Sequence, residues 1–393
     1  MWRTVRNERG MALAIAIFAL VVVGALVAGA FFAGVQESRT AENNRRLQKA
    51  FGVTESGINE VIADWDPGVR NVGKMYPADS QVLPDAGEPG TLPYHTGAFA
   101  GNIYKLNGEL YLVDIAGRDS QSIKSTLKSA SARQRMGGLL RIRTVNFGIQ
   151  GALTTRGGVK LAGNAAVDGR DHIPTEWGAA NCDTTGDTTK AGIRTADTSQ
   201  VTGGAGHTYG TPPMRQDTTV KASTFKQFGD IDYATLAAMA TITISSGNYK
   251  TNPAFNGDGT CKKTDNLNWG DGMNRASQCG NYFPIIHITD STQSTTLNGD
   301  QGQGILLVDG DLSIQGSYQF YGIVLIRGSL KTAGGGSTDA HFWGAVMAAN
   351  VDLELNTLTG NATLNYSKCA ITEALERTGA VSLARSRSWI QLF

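Results

Sequence analysis

The chain is poor in charge. Only 18% of its 393 residues are Asp, Glu, Lys or Arg, and the formal net charge is +1, so the chain as a whole lacks the basic excess that nucleic-acid binding requires. Histidine is scarce as well, with five residues and no pair at i, i+3 or i, i+4. The four cysteines, Cys182, Cys261, Cys279 and Cys369, show no C-x-x-C spacing, which argues against a zinc site. Neither a G-x-x-x-x-G-K-[ST] phosphate loop nor a G-x-S-x-G nucleophile elbow occurs. From Met11 to Val35, charge and proline are missing altogether. What is plentiful is glycine, at 49 residues, together with alanine, threonine and asparagine, a composition of strands and turns.

The uncharged stretch makes about 37 Å of helix at 1.5 Å per residue, enough to cross a bilayer. It follows a leader that holds Arg3, Arg6 and Arg9 against one acid, Glu8. The positive-inside rule keeps that leader cytoplasmic, and the rest of the chain then faces the periplasm or the exterior. The helical pattern continues past the membrane edge, because Leu47, Phe51, Thr54, Ile58, Val61 and Ile62 recur at three- and four-residue steps. One helix from about Ala12 to about Ala63 is expected, roughly 75 Å long. Asp66-Pro67-Gly68 should end it.

"NERG", then "MALAIAIFALVVVGALVAGAFFAG", then the polar "QESRTAENNRRLQ" resembles the N-terminus of type IV pilins and pseudopilins, in particular the PilX-like minor pilins. The resemblance implies cleavage between Gly10 and Met11 by a prepilin peptidase and methylation of the new N-terminus. It implies a bacterial inner-membrane location, single-pass, with the N-terminus cytoplasmic, the C-terminal region periplasmic, and a place on the pilus or cell surface after assembly. The implied partners are other pilins or pseudopilins, the peptidase, an inner-membrane assembly platform and membrane lipid, with no cofactor and no nucleic acid. Ile15 departs from the pattern: it takes the fifth mature position, where bulk pilins carry glutamate. A carboxylate in lipid is costly unless paired, so the departure points to a minor, initiating or capping subunit.

Downstream, Asn107-Gly108 between two alternating apolar runs signals a hairpin, and residues 139–145 alternate as a strand should. A long helix on a small antiparallel sheet is therefore expected. Further along, glycine falls at every sixth position: Gly304, Gly310, Gly316, Gly322, Gly328 and Gly334, with a shorter run at Gly151, Gly157, Gly163 and Gly169. Three hexads make 18 residues, close to one coil of a β-solenoid. Ile305 and Leu307 return 18 residues later as Ile323 and Leu325, Leu312 as Leu330, and Ile314 as Thr332, while a third coil begins at Gly344 after a step of 22. Tyr318, Phe320 and Tyr321 belong in the core of such coils. Antiparallel hairpins with glycine turns are the rival arrangement, and they have no reason to keep the period.

The expected fold class is α+β: a long pilin-like helix, a small antiparallel sheet and a C-terminal parallel β-helix. A right-handed sense is expected, although left-handed hexapeptide coils also repeat every 18 residues. The phrases "GILLVDGDLSIQG", "YGIVLIRGSL" and "WGAVMAANVDL" extend the PilX-like resemblance to most of the chain. The expected divisions are a leader at 1–10, a membrane helix at 11–35 and an amphipathic continuation at 36–65. A connector with a hairpin follows at 66–136, then first β-helix coils at 137–176 and a polar, cysteine-containing insertion at 177–302. Main coils at 303–369 and a capping helix and strand at 370–393 complete the chain.

Outside the cytoplasm, four cysteines permit two disulfides in any of three pairings. Cys261 with Cys279 would close a loop of the size where a crosslink contributes about 3 kcal/mol, leaving Cys182 with Cys369. The expected function is a non-enzymatic minor pilin-like component of a type IV pilus or a related pseudopilus. The alternatives are a membrane-anchored β-helical adhesin and a polysaccharide-active β-helix enzyme. The enzyme would need clustered carboxylates on neighbouring coils, for which Asp309, Asp311 and Asp352, with Arg327, are the candidates. "NGDGTC" from Asn256 resembles half a calcium loop but has Leu267 where the twelfth-position glutamate should stand.

Overall fold

The computed structural model describes residues 9–71, 74–83, 90–91, 97–119, 132–142, 145–178, 182, 189–203, 207–229, 231–333, 340–349, 356–358, 361–378, 381–383 and 389–392. The leader up to residue 8, Gly334 and Asp352 lie outside these, and of the side chains of Gly10 and Met11 nothing is described. The described chain is α+β.

Helix α1 (Arg9–Ala63) runs unbroken for 55 residues. Asp66 then caps α2 (Pro67–Arg70), accepting from the Gly68 N–H at 2.9 Å. Pro67 takes the first helical position, where its missing N–H leaves nothing unpaired. The second half of α1 packs on an antiparallel sheet that has seven strands among the described residues. Its centre is Gly97–Lys105, Leu110–Asp119 and Arg133–Ile142. The hairpin between the first two turns at Asn107, whose Oδ1 accepts from the N–H groups of Glu109 and Leu110, both at 2.8 Å. Phe99, Ile103, Tyr111, Val113, Ile115, Met136 and Leu140 are buried beneath the helix.

The helix meets this sheet on a stripe that keeps Thr54, Ile58 and Val61 of the expected set but leaves out Leu47 and Phe51. Ala50, Val53, Thr54, Ile58 and Val61 are buried, whereas Leu47 and Phe51 are 41% and 40% exposed. Small residues on both sides explain the rotation. The Thr54 hydroxyl donates to Ala50 O at 2.8 Å and accepts from Gly117 N at 3.2 Å; a Cβ at Gly117 would lie 2.5 Å from that hydroxyl, and one at Gly57 2.7 Å from the Phe99 ring. The backbones approach where side chains are missing, and the bulkier residues are left outside.

The rest of the chain builds a stack of parallel strands in two ladders. One ladder passes through Ile285–Thr289, the second half of Thr295–Val308, Gln319–Ile326 and His341–Ala348. The other passes through Asn248–Thr251, the first half of Thr295–Val308, Leu312–Gln315, Leu330–Ala333 and Asn356–Leu358. Thr295–Val308 serves both because it bends at Gly299 and Asp300, both at positive φ. Gln301 stands opposite Gln319 and Leu312 opposite Leu330, a step of 18, and Gln319 stands opposite His341, a step of 22. Leu306, Leu307, Val324 and Leu325 are all buried, so successive residues, which point to opposite faces, are covered on both. Helix α4 (Lys368–Thr378) packs on one part of the outer face.

Three segments sit differently from the expected divisions. Residues 137–142, assigned to the first coils, belong to the antiparallel sheet. Much of 177–302 is part of the stack: Ala191–Thr195 pairs with Gly151–Thr155, and Ile242–Ser245 pairs with Ile285–Thr289. After α4, which lies along the flank of the stack, Val381–Leu383 and Trp389–Leu392 return to the antiparallel sheet and pair with Arg133–Ile142.

The order of the stack is not the order of the chain. Gly151–Thr155, Val159–Leu161 and Ala166–Asp168 lie against His341–Ala348, Asn356–Leu358 and Thr363–Tyr366. From there the stack grows outward through Ala191–Thr195 to Met214–Gln216. Residues 217–241 then carry the chain back to the far end, burying Val220, Phe225, Phe228 and Leu236 and forming α3 (Tyr233–Ala238) on the way.

Candidate functional site

The part of the molecule that its own fold leaves unfinished is the first half of α1. Leu13, Ile15, Phe18, Leu20, Phe31 and Phe32 are 65% to 76% exposed, and apolar side chains occur all round the helix. Such a surface belongs in lipid or among other helices. The segment is long and apolar enough to cross a membrane. Its first charged residue after Arg9 is Glu37, so no carboxylate stands at Ile15 or elsewhere in the span to pair with a neighbouring amine.

Past the span the helix turns polar, and Glu42 accepts from Arg45 at 3.0 Å and Arg46 at 2.9 Å. Those two guanidinium groups hold its carboxyl down to about 2. The helix is thus apolar, then charged, then seated on the antiparallel sheet, in one continuous rod.

The carboxylate candidates for catalysis divide. Asp309 and Arg327 come together, Nη1 to Oδ1 at 3.4 Å, and Asp309 also accepts from the Tyr233 hydroxyl at 2.7 Å and contacts His287 Nε2 at 3.1 Å. The Arg327 guanidinium lies 5.2 Å above the Tyr233 ring. Asp311 stays apart, its Oδ1 accepting from Ser329 N at 2.7 Å. Burial, then Asp309, push the Tyr233 hydroxyl far above its ordinary range. The cluster fastens the returning segment to the stack.

Tyr233 and His287 carried no local signal in the sequence. Tyr233 lies 76 residues from Asp309, and His287 reaches it only because Ile285–Thr289 stacks on the strand that ends at Val308. A cleft of about 290 Å³ lies elsewhere, where the start of α2 and the end of α4 meet the stack, lined by Trp65, Lys263, Tyr282, Phe283 and Arg377. Its cations are engaged, Lys263 with Asp66 at 3.2 Å and Arg377 with Gly68 O at 2.9 Å.

Among the described residues, no group of three or more His, Cys, Asp or Glu side chains is placed to hold a metal ion. In the half calcium loop, Asp258 instead accepts from the N–H and hydroxyl of Thr260 at 2.9 and 2.6 Å. The structure joins Cys261 to Cys279 and Cys182 to Cys369.

The spaced glycines are brought into columns. Gly304, Gly322 and Gly344 stand opposite one another, all at positive φ, and Gly328 N donates to Gly310 O at 3.2 Å. Gly316 sits 3.7 Å from Gly299 measured from where its Cβ would be.

No family model matches the chain, and no curated protein matches it. Among solved structures, it is similar to the competence-associated pilin ComZ from Thermus thermophilus. The identity is 12%, the coverage is 89% of this chain and 97% of that one, and the TM-score is 0.27.

Proposed function

We propose that this chain is a minor, non-enzymatic, pilin-like component of type IV pilus or pseudopilus assembly, of the PilX-like kind. In this reading residues 1–10 stay in the cytoplasm until a prepilin peptidase cuts between Gly10 and Met11, and the new N-terminus is methylated. The first half of α1 anchors the chain in the inner membrane, and everything after it lies outside the cytoplasm. The two parallel ladders form a β-helix whose coils turn at the glycine columns. It projects from the helix-and-sheet head as a spacer or contact surface.

The observation that carries the proposal is the uncovered apolar half of α1, continuous with a second half that is buried under the head. Taking about 25 apolar residues out of lipid is too costly for a single helix, so extraction demands that other apolar helices receive it. An assembly platform and sister pilins supply that environment.

A photo-reactive benzoylphenylalanine at Phe18, and separately at Phe31, tests this directly. We expect adducts to other pilin helices in sheared, purified filaments. Adducts to lipid alone, with the chain absent from filaments, would overturn the proposal.

A further inference from the structure

We propose that Cys182–Cys369 is a redox latch that locks together two separately ordered halves of the stack. One half is the run of coils from 151 to 216 and the other the run from 242 to 366. Each is held internally by its own ladder, Gly151–Thr155 to Ala191–Thr195 in the first and Gln301–Val308 to Gln319–Ile326 in the second. The chain connects them through residues 217–241, which join the outermost strand of the first run to the opposite end of the second.

Where the runs meet, one layer of the stack is completed by both. His341–Gly344 pairs with Thr363–Tyr366, and the continuation of the same strand, Val346–Ala348, pairs with Leu153–Thr155. The seam is sewn by main-chain bonds: Ala162 N to Leu358 O at 3.0 Å, Ala166 N to Ala362 O at 2.9 Å and His172 N to Tyr366 O at 2.9 Å. Asn164 Nδ2 donates to Asn361 Oδ1 at 3.1 Å, and Lys368 N donates to Asp171 Oδ1 at 2.8 Å.

The disulfide sits at this seam. Cys182 follows the last strand of one seam coil, and Cys369 opens α4 just after the strand that pairs with it. The two sulfurs therefore meet only once the runs have docked. They are 187 residues apart in sequence, against 18 for Cys261–Cys279. The longer loop takes in the connector and the whole second run, whereas the shorter disulfide staples a single loop of the second run.

Forming the latch converts two thiols to one disulfide and releases two protons and two electrons. A disulfide-bearing oxidant accepts them and leaves as two thiols. A phosphine reductant reverses the step.

Hydrogen exchange on the full-length chain tests the latch, in the oxidised protein, after phosphine reduction, and in Cys182→Ser/Cys369→Ser. With the latch open we expect the amides of Ala162, Ala166 and His172, which donate across the seam, to exchange at least tenfold faster while those of Gln319–Ile326 keep their protection. The Cys261→Ser/Cys279→Ser chain should keep its seam protected until it too is reduced. Where the first double variant fails to fold, reduction of the folded oxidised chain gives the same reading. Unchanged seam protection, or loss of protection in all ladders together, overturns the proposal, as does a seam that opens in the Cys261→Ser/Cys279→Ser chain before reduction.

Discussion

Glycine at six-residue spacing is ambiguous in a sequence, since turns of any kind use it. In the structure Gly304, Gly322 and Gly344 stand opposite one another on adjacent parallel strands. At Gly322 the backbone has φ of 136° and a Cβ would run into the Gly304 carbonyl oxygen; Gly344 repeats the situation against Gly322. At Gly316 φ is 68°, and a Cβ would meet nothing nearer than 3.7 Å. The left-handed region costs an ordinary residue about 1 to 2 kcal/mol, whereas a clash with main-chain atoms forces whole strands apart. Gly316→Ala should therefore lower stability by about 1 to 2 kcal/mol. Gly322→Ala should cost more than about 4 kcal/mol or prevent folding. Thermal denaturation of both variants checks this, and equal effects would contradict the column. The 18-residue step that sets Gly304 opposite Gly322 was legible from residue numbers alone. The tie of Tyr233 and His287 to Asp309 was not, since it depends on which segment crosses the outside of the stack.

Elements were legible where their signals are local. Helix α1 shows in the sequence because an uncharged run and a three-and-four periodicity join without a break. Its end shows because Asp66 and Pro67 make a cap. Of the stripe it buries, Thr54, Ile58 and Val61 were legible, whereas Leu47 and Phe51 are left outside because the sheet takes in Ala50 and Gly57 instead. The outermost strand, Met214–Gln216, exposes all three side chains and is held by polar ties that hydropathy does not reveal. Asp217 accepts from the Thr219 hydroxyl at 2.6 Å and from Arg194 Nε at 2.9 Å, and Asp217 N donates to Thr195 O at 2.8 Å. The Thr219 hydroxyl and the Arg194 guanidinium bring the Asp217 carboxyl down to about 2. A folded-state pKa below the unfolded value of about 3.9 means that the tie contributes fully above that value and is lost as pH falls through about 2. Peptic cleavage within 191–217 should accordingly rise between about pH 4 and pH 2, and Asp217→Asn should be cleaved equally across that range. Cleavage of the unaltered chain that is flat with pH would contradict the tie.

At the scale of the whole molecule, the 18-residue step between paired strands could be read but the order in which the strands stack could not. Periodicity records which residues stack within one run, and both ends of a run present the same kind of edge, so nothing local says which ends meet. That order gives the chain many contacts of long sequence separation, which makes folding slow and exposes unpaired strands while it proceeds. The return of Val381–Leu383 and Trp389–Leu392 to the sheet under α1 has the same character. It adds the last described strands to the sheet on which the second half of α1 packs. Among the described residues the first half of α1 carries the longest run of exposed large apolar side chains, and the proposed role stands on it. N-terminal mass spectrometry of the chain recovered from sheared filaments tests that role most directly. The account predicts a mature protein that begins at Met11, while a chain that still begins at Met1 would contradict it.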